Sequence, residues 1–558
     1  MTKQLTFSAI TLALLFLSGC DDSDNNKQTT SSTPENLLSI NDSPTHFVHQ
    51  KILGGDTTDT EFSSSTHAFS QPAKNLSPEL LELHLTGDAN FETNPNGFGP
   101  VFNHTNCDAC HQRDGRDSLP VLLGDKEYLS NYIVKDKNGW YKLNDEGTFL
   151  RISIENDTIN NASKSAQNCW GSPVPVPNFS DQLFHRGVYG VRDSNNTGSG
   201  QADVWMKYEY KDITYPDGTI ITLSKPVFGV DNPYDAPDDP NEYNPIKVEV
   251  NATSRLFRPD VKIGPRIGMP MIGLGLLNAI PEADILALAD VNDSDADGIS
   301  GKPNWVCDKE KYDKCHEAGN CDTNPPISLG RFGWKANTPT VAHQGLGAMR
   351  GDMGVTNPLF KHESINGTDL MNTYKANNVG FTTYEDSGIT DEDEDFALPV
   401  VVYSETLSVP PRRDMNNSDV QQGAMEFEQL GCVKCHNPSF TTASEYHSYG
   451  VHGERIHALE NQKIYPFTDM LLHDMGEDLA DGRRDFDATG NEWKTRPLWG
   501  IGATQIINPG AGFLHDGRAK TLEEAILWHG GEAQAIKENF MKLSKTKRDR
   551  VIKFLNSL

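Results

Sequence analysis

The spacing of apolar residues predicts helices near the carboxy terminus of the chain. Two apolar runs follow a helical period: Val420, Ala424, Phe427 and Leu430 in the first, and Val551, Phe554 and Leu555 in the second. Between the two runs, Thr521 and Glu524 form a capping box that predicts the start of a helix over Leu522–Trp528. The glycines that follow His529 are typical of a helix end.

The middle of the chain shows the period of two that is typical of strands. Residues 205–223 predict a β-hairpin that turns at Pro216-Asp-Gly218. Residues 148–155 alternate like a further strand, whereas residues 270–289 are apolar and predict helix.

The amino terminus reads as an export signal. Lys3 is followed by an apolar stretch, residues 5–17, that is too short to span a bilayer stably. Leu17-Ser18-Gly19-Cys20 matches a bacterial lipobox, so we expect residues 1–19 to be a signal peptide and the Cys20 thiol to be lipidated. An ordinary secretory signal is the alternative. The Ser-, Thr- and Asn-rich residues 20–45 predict a flexible tether. The expected location is the periplasm, and Asp21 favours anchoring to the inner membrane.

Two copies of Cys-x-x-Cys-His carry the most specific chemistry in the sequence. They are Cys107-Asp-Ala-Cys110-His111 and Cys432-Val-Lys-Cys435-His436. This pattern is the attachment site of c-type haem, in which both thiols bond the porphyrin and the histidine binds iron. The alternatives are a dithiol redox pair, which needs a thioredoxin-like βαβ setting, and a zinc site built from both pairs. We therefore predict two covalently bound haem c groups.

The remaining cysteines and the net charge limit the structure and the partners. Cys169, Cys307, Cys315 and Cys321 remain after haem attachment and lipidation, and an even remainder in an oxidising compartment suggests two disulfides with three possible connectivities. A net charge of −29 argues against nucleic acid as a partner. It favours a small basic redox protein or another electron donor.

These features predict a mainly α protein with two cytochrome c-like haem domains. With 558 residues, the chain can form two or three domains. We place the first haem domain at residues 46–375, with a large β-containing insertion at about 116–325, and the second at residues 414–558. Residues 376–413 would link them.

An acidic loop inside the insertion predicts a calcium site. Asp293, Asp295 and Asp297 alternate, a glycine follows, and the carbonyl of Ile299 is the next expected ligand. Asn304 stands where an EF-hand has its bidentate glutamate, so Asp290 or another residue would have to complete the shell. The alternative is a solvated acidic turn.

Several blocks of the sequence resemble known dihaem proteins. Phe513-Leu-His515-Asp-Gly-Arg518, followed by Thr521-Leu-Glu-Glu-Ala525, is similar to a block of the bacterial dihaem cytochrome c peroxidases. The di-haem oxidoreductase family, whose members are described as peroxidases or thiol oxidoreductases, is the better match. The blocks that carry this resemblance are Phe102-Asn103, Ile272-Gly-Leu-Gly-Leu-Leu-Asn-Ala-Ile-Pro281, Gly330-Arg-Phe-Gly-Trp-Lys-Ala336, Gly351-Asp-Met-Gly354, Leu471-Leu-His-Asp-Met-Gly476 and Ala525-Ile-Leu-Trp-His-Gly-Gly-Glu-Ala533.

The resemblance implies roles for individual residues. His529 stands where the peroxidases place the second axial ligand of the carboxy-terminal haem; spacing alone would leave it a surface or capping histidine. By the same resemblance, Trp334 relays electrons between the haems, and Gln344 and Asp352 line the distal face of the haem on His111. The sixth ligand of that haem stays open, and the candidates are Met353, Met349, His104 and His343.

The expected function is that of a periplasmic dihaem c-type oxidoreductase. Electrons would enter at the haem on His436 and reach the haem on His111, where hydrogen peroxide is reduced. Gln344 would orient the peroxide and Asp352 would move its proton. One alternative is an electron-transfer cytochrome without a catalytic pocket. Another is a haem oxidase that modifies a partner protein.

Overall fold

Helices and strands share the fold, with 33% of the residues in helix and 19% in strand. The prediction of a mainly α fold is therefore wrong. The apolar alternation of the insertion forms long strands, and short strand pairs also occur in the carboxy-terminal part. The computed structural model describes residues 47–60, 65–95, 99–117, 133–135, 140–143, 148–155, 172–187, 200–236, 254–376 and 383–558. Cys20, the predicted tether and Cys169 lie outside these ranges.

The described α-helices lie before, within and after the predicted insertion. Their bounds are Pro78–Glu92, Leu274–Asn278, Glu282–Leu286, Lys309–Ala318, Val341–Asp352, Asp369–Ala376, Tyr384–Ser387, Glu394–Thr406, Ser418–Gln429, Thr504–Ile507, Leu522–Trp528, Gln534–Lys542 and Lys545–Ser557. The predicted helix over Leu522–Trp528 is confirmed at both ends, with the Thr521 side chain accepting from the Glu524 amide. The apolar residues 270–289 contain two short helices instead of one. Among the described residues, no helix has the length and apolar character needed to cross a membrane.

The strands form several small antiparallel sheets. A four-stranded sheet has the order Ile133–Lys135, Trp140–Leu143, Asp203–Thr214 and Ile220–Asp231, and a three-stranded sheet has the order Gln182–Leu183, Thr148–Ile154 and Val261–Ile267. The two-stranded sheets pair Val101–Phe102 with Arg186–Gly187, Trp305–Cys307 with Ile327–Leu329, Phe440–Thr441 with Lys463–Ile464, and Leu472–Asp474 with Glu492–Lys494. The predicted hairpin is confirmed and is longer than predicted.

Two helix pairs are built alike. Helix Pro78–Glu92 packs on Glu394–Thr406, and helix Ser418–Gln429 packs on Lys545–Ser557. In each first helix a glycine allows the close approach, because a Cβ at Gly87 would lie 2.0 Å from the Pro399 carbonyl oxygen and one at Gly423 would lie 1.9 Å from the Arg550 carbonyl oxygen. The helix Glu394–Thr406 lies within residues 376–413 and is buried over most of its length.

Each pair also carries an aromatic contact one turn beyond its glycine. Phe91 lies 5.3 Å from Tyr403, and Phe427 lies 5.2 Å from Phe554, measured between ring centroids. Phe91 and Phe427 both precede a Cys-x-x-Cys-His motif. The two motifs are therefore positioned by helix pairs that pack in the same way.

Glu405, at the end of one of these helices, is expected to make the stability of the protein depend on pH. Its carboxylate accepts from Tyr446 (2.8 Å) and Ser448 (2.5 Å), and burial raises its pKa to about 7 from 4.5. As the pH rises through this window, the unfolded chain loses the proton before the folded chain does. The contribution of Glu405 to the stability of the folded state is therefore largest at low pH and falls by up to about 3 kcal/mol as the pH rises.

Glu405→Gln should remove the contribution of this carboxyl group to the pH dependence of stability. We expect the urea midpoint of the native chain to fall between about pH 5 and about pH 8, and that of Glu405→Gln to change less. Exposed Glu282→Gln is the control and should keep the native dependence. Parallel curves for Glu405→Gln and the native chain would contradict the prediction.

Candidate haem sites

The two Cys-x-x-Cys-His motifs have the same local structure. The His111 amide donates to the Cys107 carbonyl (3.1 Å), and the His436 amide donates to the Cys432 carbonyl (2.9 Å). Each imidazole lies 6.2 Å from the phenylalanine of its helix, Phe91 or Phe427, at interplanar angles of 52° and 51°. Because both motifs share their helix packing and their histidine position, they suit the same kind of group.

The candidate axial histidines are held in the protonation state that iron requires. Nδ1 of His111 donates to the Met269 carbonyl (2.6 Å), Nδ1 of His436 to the Phe467 carbonyl (3.0 Å), and Nδ1 of His529 to the Ala525 carbonyl (2.7 Å). A proton on Nδ1 leaves the lone pair of Nε2 available to iron. Histidines that bind metals usually donate a hydrogen bond from their other ring nitrogen in this way. Burial lowers the pKa of all three, to about 4 for His436, and so favours the neutral ligand form.

The motif thiols do not fit the rival chemistries. Cys107, Cys110, Cys432 and Cys435 form no disulfide. Burial raises the pKa of Cys107 and Cys432 to about 12, whereas a redox dithiol needs an accessible thiolate. Among the described residues, no group of candidate metal ligands combines cysteines of both motifs.

The second motif opens into one apolar pocket. Its empty volume, including the part open to solvent, is about 1340 Å³, and Cys432, Cys435, His436 and His529 all line it. A positive charge on His529 would lower the pKa of His436 by electrostatic repulsion, so the two imidazoles lie close enough to interact. The structure thus brings His529 and His436 to one pocket, and the ligand role of His529 stays a prediction. These residues fit a haem with two thioether bonds and two axial imidazoles.

The first motif faces helix Val341–Asp352 and the residue that follows it. Met353 Sδ lies 3.7 Å from Cys107 Sγ, and the charge of Asp352 acts on both Cys107 and His111. Gln344 lies on the same helix, two turns before Asp352, and its Oε1 accepts from Thr338 (2.9 Å). Helix geometry separates Gln344 and Asp352 by about 12 Å along the axis. At this distance, Gln344 and Asp352 can act on one bound molecule only if their side chains reach toward it.

The four candidates for the sixth ligand are placed differently. Met349 and Met353 are buried next to the first motif, whereas His343 packs on Phe360 and accepts from the Lys309 amide (3.4 Å). The amide of His104 donates to the Asp352 carbonyl (3.1 Å). The sixth position remains open among them.

Two residues of the insertion bind Asp352, and the sequence analysis did not single them out. Gln182 Nε2 donates to Asp352 Oδ1 (2.8 Å), and Arg151 lies 3.3 Å from the same oxygen. Both belong to the three-stranded sheet. Arg151 is a single half-buried cation in a strand whose other residues are buried. That lone arginine was a signal that the sequence offered. Because both partners of Asp352 belong to the insertion, the insertion helps to build the site.

Trp334 is hydrogen-bonded to a short segment that contacts the first motif. Its indole nitrogen donates to the Ile267 carbonyl (3.1 Å), and the next two residues, Gly268 and Met269, contact the first motif. Trp334 also lines the pocket of the second motif. Trp334 therefore lines the second site and is linked to the first through residues 267–269, and its relay role stays a prediction.

Gly268→Ala is expected to disturb the first site. A Cβ at this position would lie 2.1 Å from the Cys110 carbonyl oxygen, so the segment carrying Met269 must move away from His111. We expect a loss of about 1–3 kcal/mol in stability and a changed spectrum of the haem on His111. Gly347→Ala is the control, since its Cβ would meet Phe360 at an ordinary 3.5 Å. An unchanged urea midpoint and spectrum in Gly268→Ala would contradict this contact.

The acidic loop lies beside the second motif. Asp290, Asp293 and Asp295 each bring an oxygen within 4.8 Å of the others, whereas Asp297 pairs with Lys434 (2.7 Å), between the two motif cysteines. The Ile299 amide donates to Asp297 (2.8 Å). Glu532 then connects Ser300 to His473 (2.7 and 2.6 Å).

The structure decides one pairing of the cysteines outside the motifs, which the sequence left open. Cys315 and Cys321 are joined, and Cys307 is disulfide-bonded as well. None of these three cysteines is left for haem or for thiol chemistry.

Comparison with known proteins identifies the class and then the family. These features define the class of a protein with two histidine sites for a metal-bearing group. A family model described as "di-haem oxidoreductase, putative peroxidase" matches residues 47–558, nearly the whole chain. The chain therefore belongs to the di-haem oxidoreductase family. No curated protein matches it.

Proposed function

We propose that the chain binds two covalently attached haem c groups and reduces hydrogen peroxide at the one on His111. The observation that carries this proposal is Asp352, a carboxylate held beside the first motif by two side chains from another element. When bound, the haem supplies the iron that exchanges electrons with peroxide. Electrons enter at the haem on His436, and Trp334 lies between the two sites.

Asp352 is positioned for proton transfer. Both of its side-chain hydrogen bonds go to Oδ1, so Oδ2 is available to accept and return a proton. Arg151 and Gln182 fix the rotamer of the carboxylate, and the guanidinium supplies positive charge where a leaving oxygen gains negative charge. A substrate oxygen must come within about 3 Å of Oδ2 for this transfer.

Gln344 supplies the complementary donor. Because its carbonyl oxygen accepts from Thr338, its amide nitrogen is available to donate to a peroxide oxygen. Between Gln344 and Asp352 the helix carries Gly345, where an added Cβ would meet nothing within 4 Å. This surface of the helix therefore leaves room between the donor and the acid.

A non-catalytic electron carrier is the second candidate. The buried sulfur of Met353, 3.7 Å from Cys107 Sγ, favours it, since a thioether bound to iron would close the first haem. The carrier predicts two low-spin haems, whereas the peroxidase requires one open iron.

The export signal and the acidic loop support two further parts of the proposal. We infer from the lipobox that Cys20 carries a lipid anchor and that the protein works in the periplasm. Asp290, Asp293 and Asp295 would hold a structural calcium ion next to the second motif. Chelation of this ion should then lower the thermal stability of the purified protein.

One experiment separates the candidates. The ferric protein is titrated with cyanide while its optical spectrum is recorded, and peroxide consumption is then followed with several reduced donors. A high-spin component that shifts with cyanide, together with peroxide turnover, supports the peroxidase. Two low-spin haems without turnover leave the carrier.

A further inference from the structure

Two buried cations and one half-buried cation line the pocket of the second motif. Arg116, Lys494 and Arg496 line it together with His436 and His529. Lys494 and Arg496 stand two residues apart in the chain, at and just after the end of strand Glu492–Lys494. Arg116 comes from the other end of the protein, five residues after His111. The sequence analysis assigned no role to any of them.

These cations bind neutral groups, and the charge of Asp516 acts on Arg116 without forming an ion pair. Lys494 Nζ donates to the Arg331 carbonyl (2.5 Å), and Arg116 donates to the Leu514 carbonyl while its Nε lies buried without a partner. Arg496 lies over the Trp334 ring at 5.2 Å. Within the ranges that the structure describes, no carboxylate forms an ion pair with any of the three.

Several other buried cations are paired with a carboxylate, and two that are not, Arg331 and Arg412, donate to backbone carbonyls and do not line this pocket. The pairs are Arg266–Asp481 at 2.6 Å, Lys335–Asp481 at 3.2 Å and Arg518–Asp516 at 2.7 Å. Burying a cation without a counter-charge is costly. An anionic ligand of this pocket would remove that cost.

A c-type haem brings its own anions, because each porphyrin carries two propionate carboxylates. We infer that Arg116, Lys494 and Arg496 bind the propionates of the haem attached at Cys432 and Cys435. Guanidinium groups suit this role, since they donate two parallel hydrogen bonds to a carboxylate. The inference rests on the proposed haem attachment at this motif, but it does not depend on peroxidase activity.

The cations also set the electrochemistry of this haem. A second imidazole, His529, lowers the reduction potential of the iron relative to a methionine ligand. Three positive charges against two carboxylates leave an excess of positive charge beside the porphyrin, which favours the ferrous state. The cluster thereby offsets the effect of His529 and keeps the haem able to accept electrons.

Spectroelectrochemical titration of the full-length holoprotein tests the inference. Lys494→Met and Arg496→Gln should each shift the low-spin haem toward ferric by at least tenfold at a fixed applied potential, which is about 59 mV for one electron. Lys434→Gln is the matched control. It removes a positive charge beside the same haem, but from a side chain that is 45% exposed and paired with Asp297. Its shift should be less than about threefold.

Measurements of the potential and of the Raman spectrum of Arg496→Lys test the inference if one of the other variants does not fold. Arg496→Lys keeps the charge, so it should hold the potential within about threefold of the native ratio and change the propionate bending bands in resonance Raman spectra. The inference is overturned if Lys494→Met and Arg496→Gln shift the potential no more than Lys434→Gln. It is also overturned if Arg496→Lys leaves the propionate bands unchanged. Loss of haem mass from the native protein would instead count against the proposed attachment.

Discussion

The Cys432→Ala/Cys435→Ala variant is expected to carry one covalent haem where the native protein carries two. The Cys107→Ala/Cys110→Ala variant should lose the other haem. In the proposed attachment, each porphyrin is bonded only through the two thiols of its own motif. Of the changes considered for this chain, these remove the most, since a whole cofactor and its packing are lost.

Intact-protein mass spectrometry and a pyridine haemochrome assay measure the outcome. The first variant should lose the low-spin signal of the bis-histidine haem, and the second should lose the component that responds to cyanide. Cys315→Ala/Cys321→Ala is the control, because it removes two cysteines that form a disulfide and should keep both haems. Two haems in either motif variant would contradict the attachment sites.

The Asp352→Asn variant is expected to reduce peroxide about 10²–10⁴-fold more slowly. Asparagine has the same shape, so its Oδ1 can keep the contacts with Gln182 and Arg151, but its amide nitrogen cannot take up a proton. Haem content and both haem spectra should therefore remain native. Turnover is measured in the steady state with hydrogen peroxide and a reduced donor.

Two further variants sharpen this experiment. Asp284→Asn removes an exposed carboxylate from helix Glu282–Leu286 and should leave turnover unchanged. Arg151→Gln should lower turnover less than Asp352→Asn does, since it removes the charge beside the acid and leaves the acid itself. Native turnover in Asp352→Asn would exclude Asp352 as the proton-transferring group.

Local patterns in the sequence were sufficient for part of this account. The Cys-x-x-Cys-His motifs, the capping box at Thr521, the helix that ends at His529 and the hairpin strands all depend on residues close together in the chain. The class of fold was predicted incorrectly, because the share of strand depends on how the insertion pairs with itself and with the rest of the chain. The family match confirms the resemblance over residues 47–558.

The sequence by itself determined where the two Cys-x-x-Cys-His motifs stand and which helices surround them, because such motifs and helix formation depend on a few neighbouring residues. Only the tertiary structure decided what surrounds those motifs. It brings Arg151 to Asp352 across 201 residues, and it collects Arg116 with Lys494 and Arg496 in one pocket. Contacts between such distant residues arise when strands and helices pack, and neither spacing nor composition records which faces will meet.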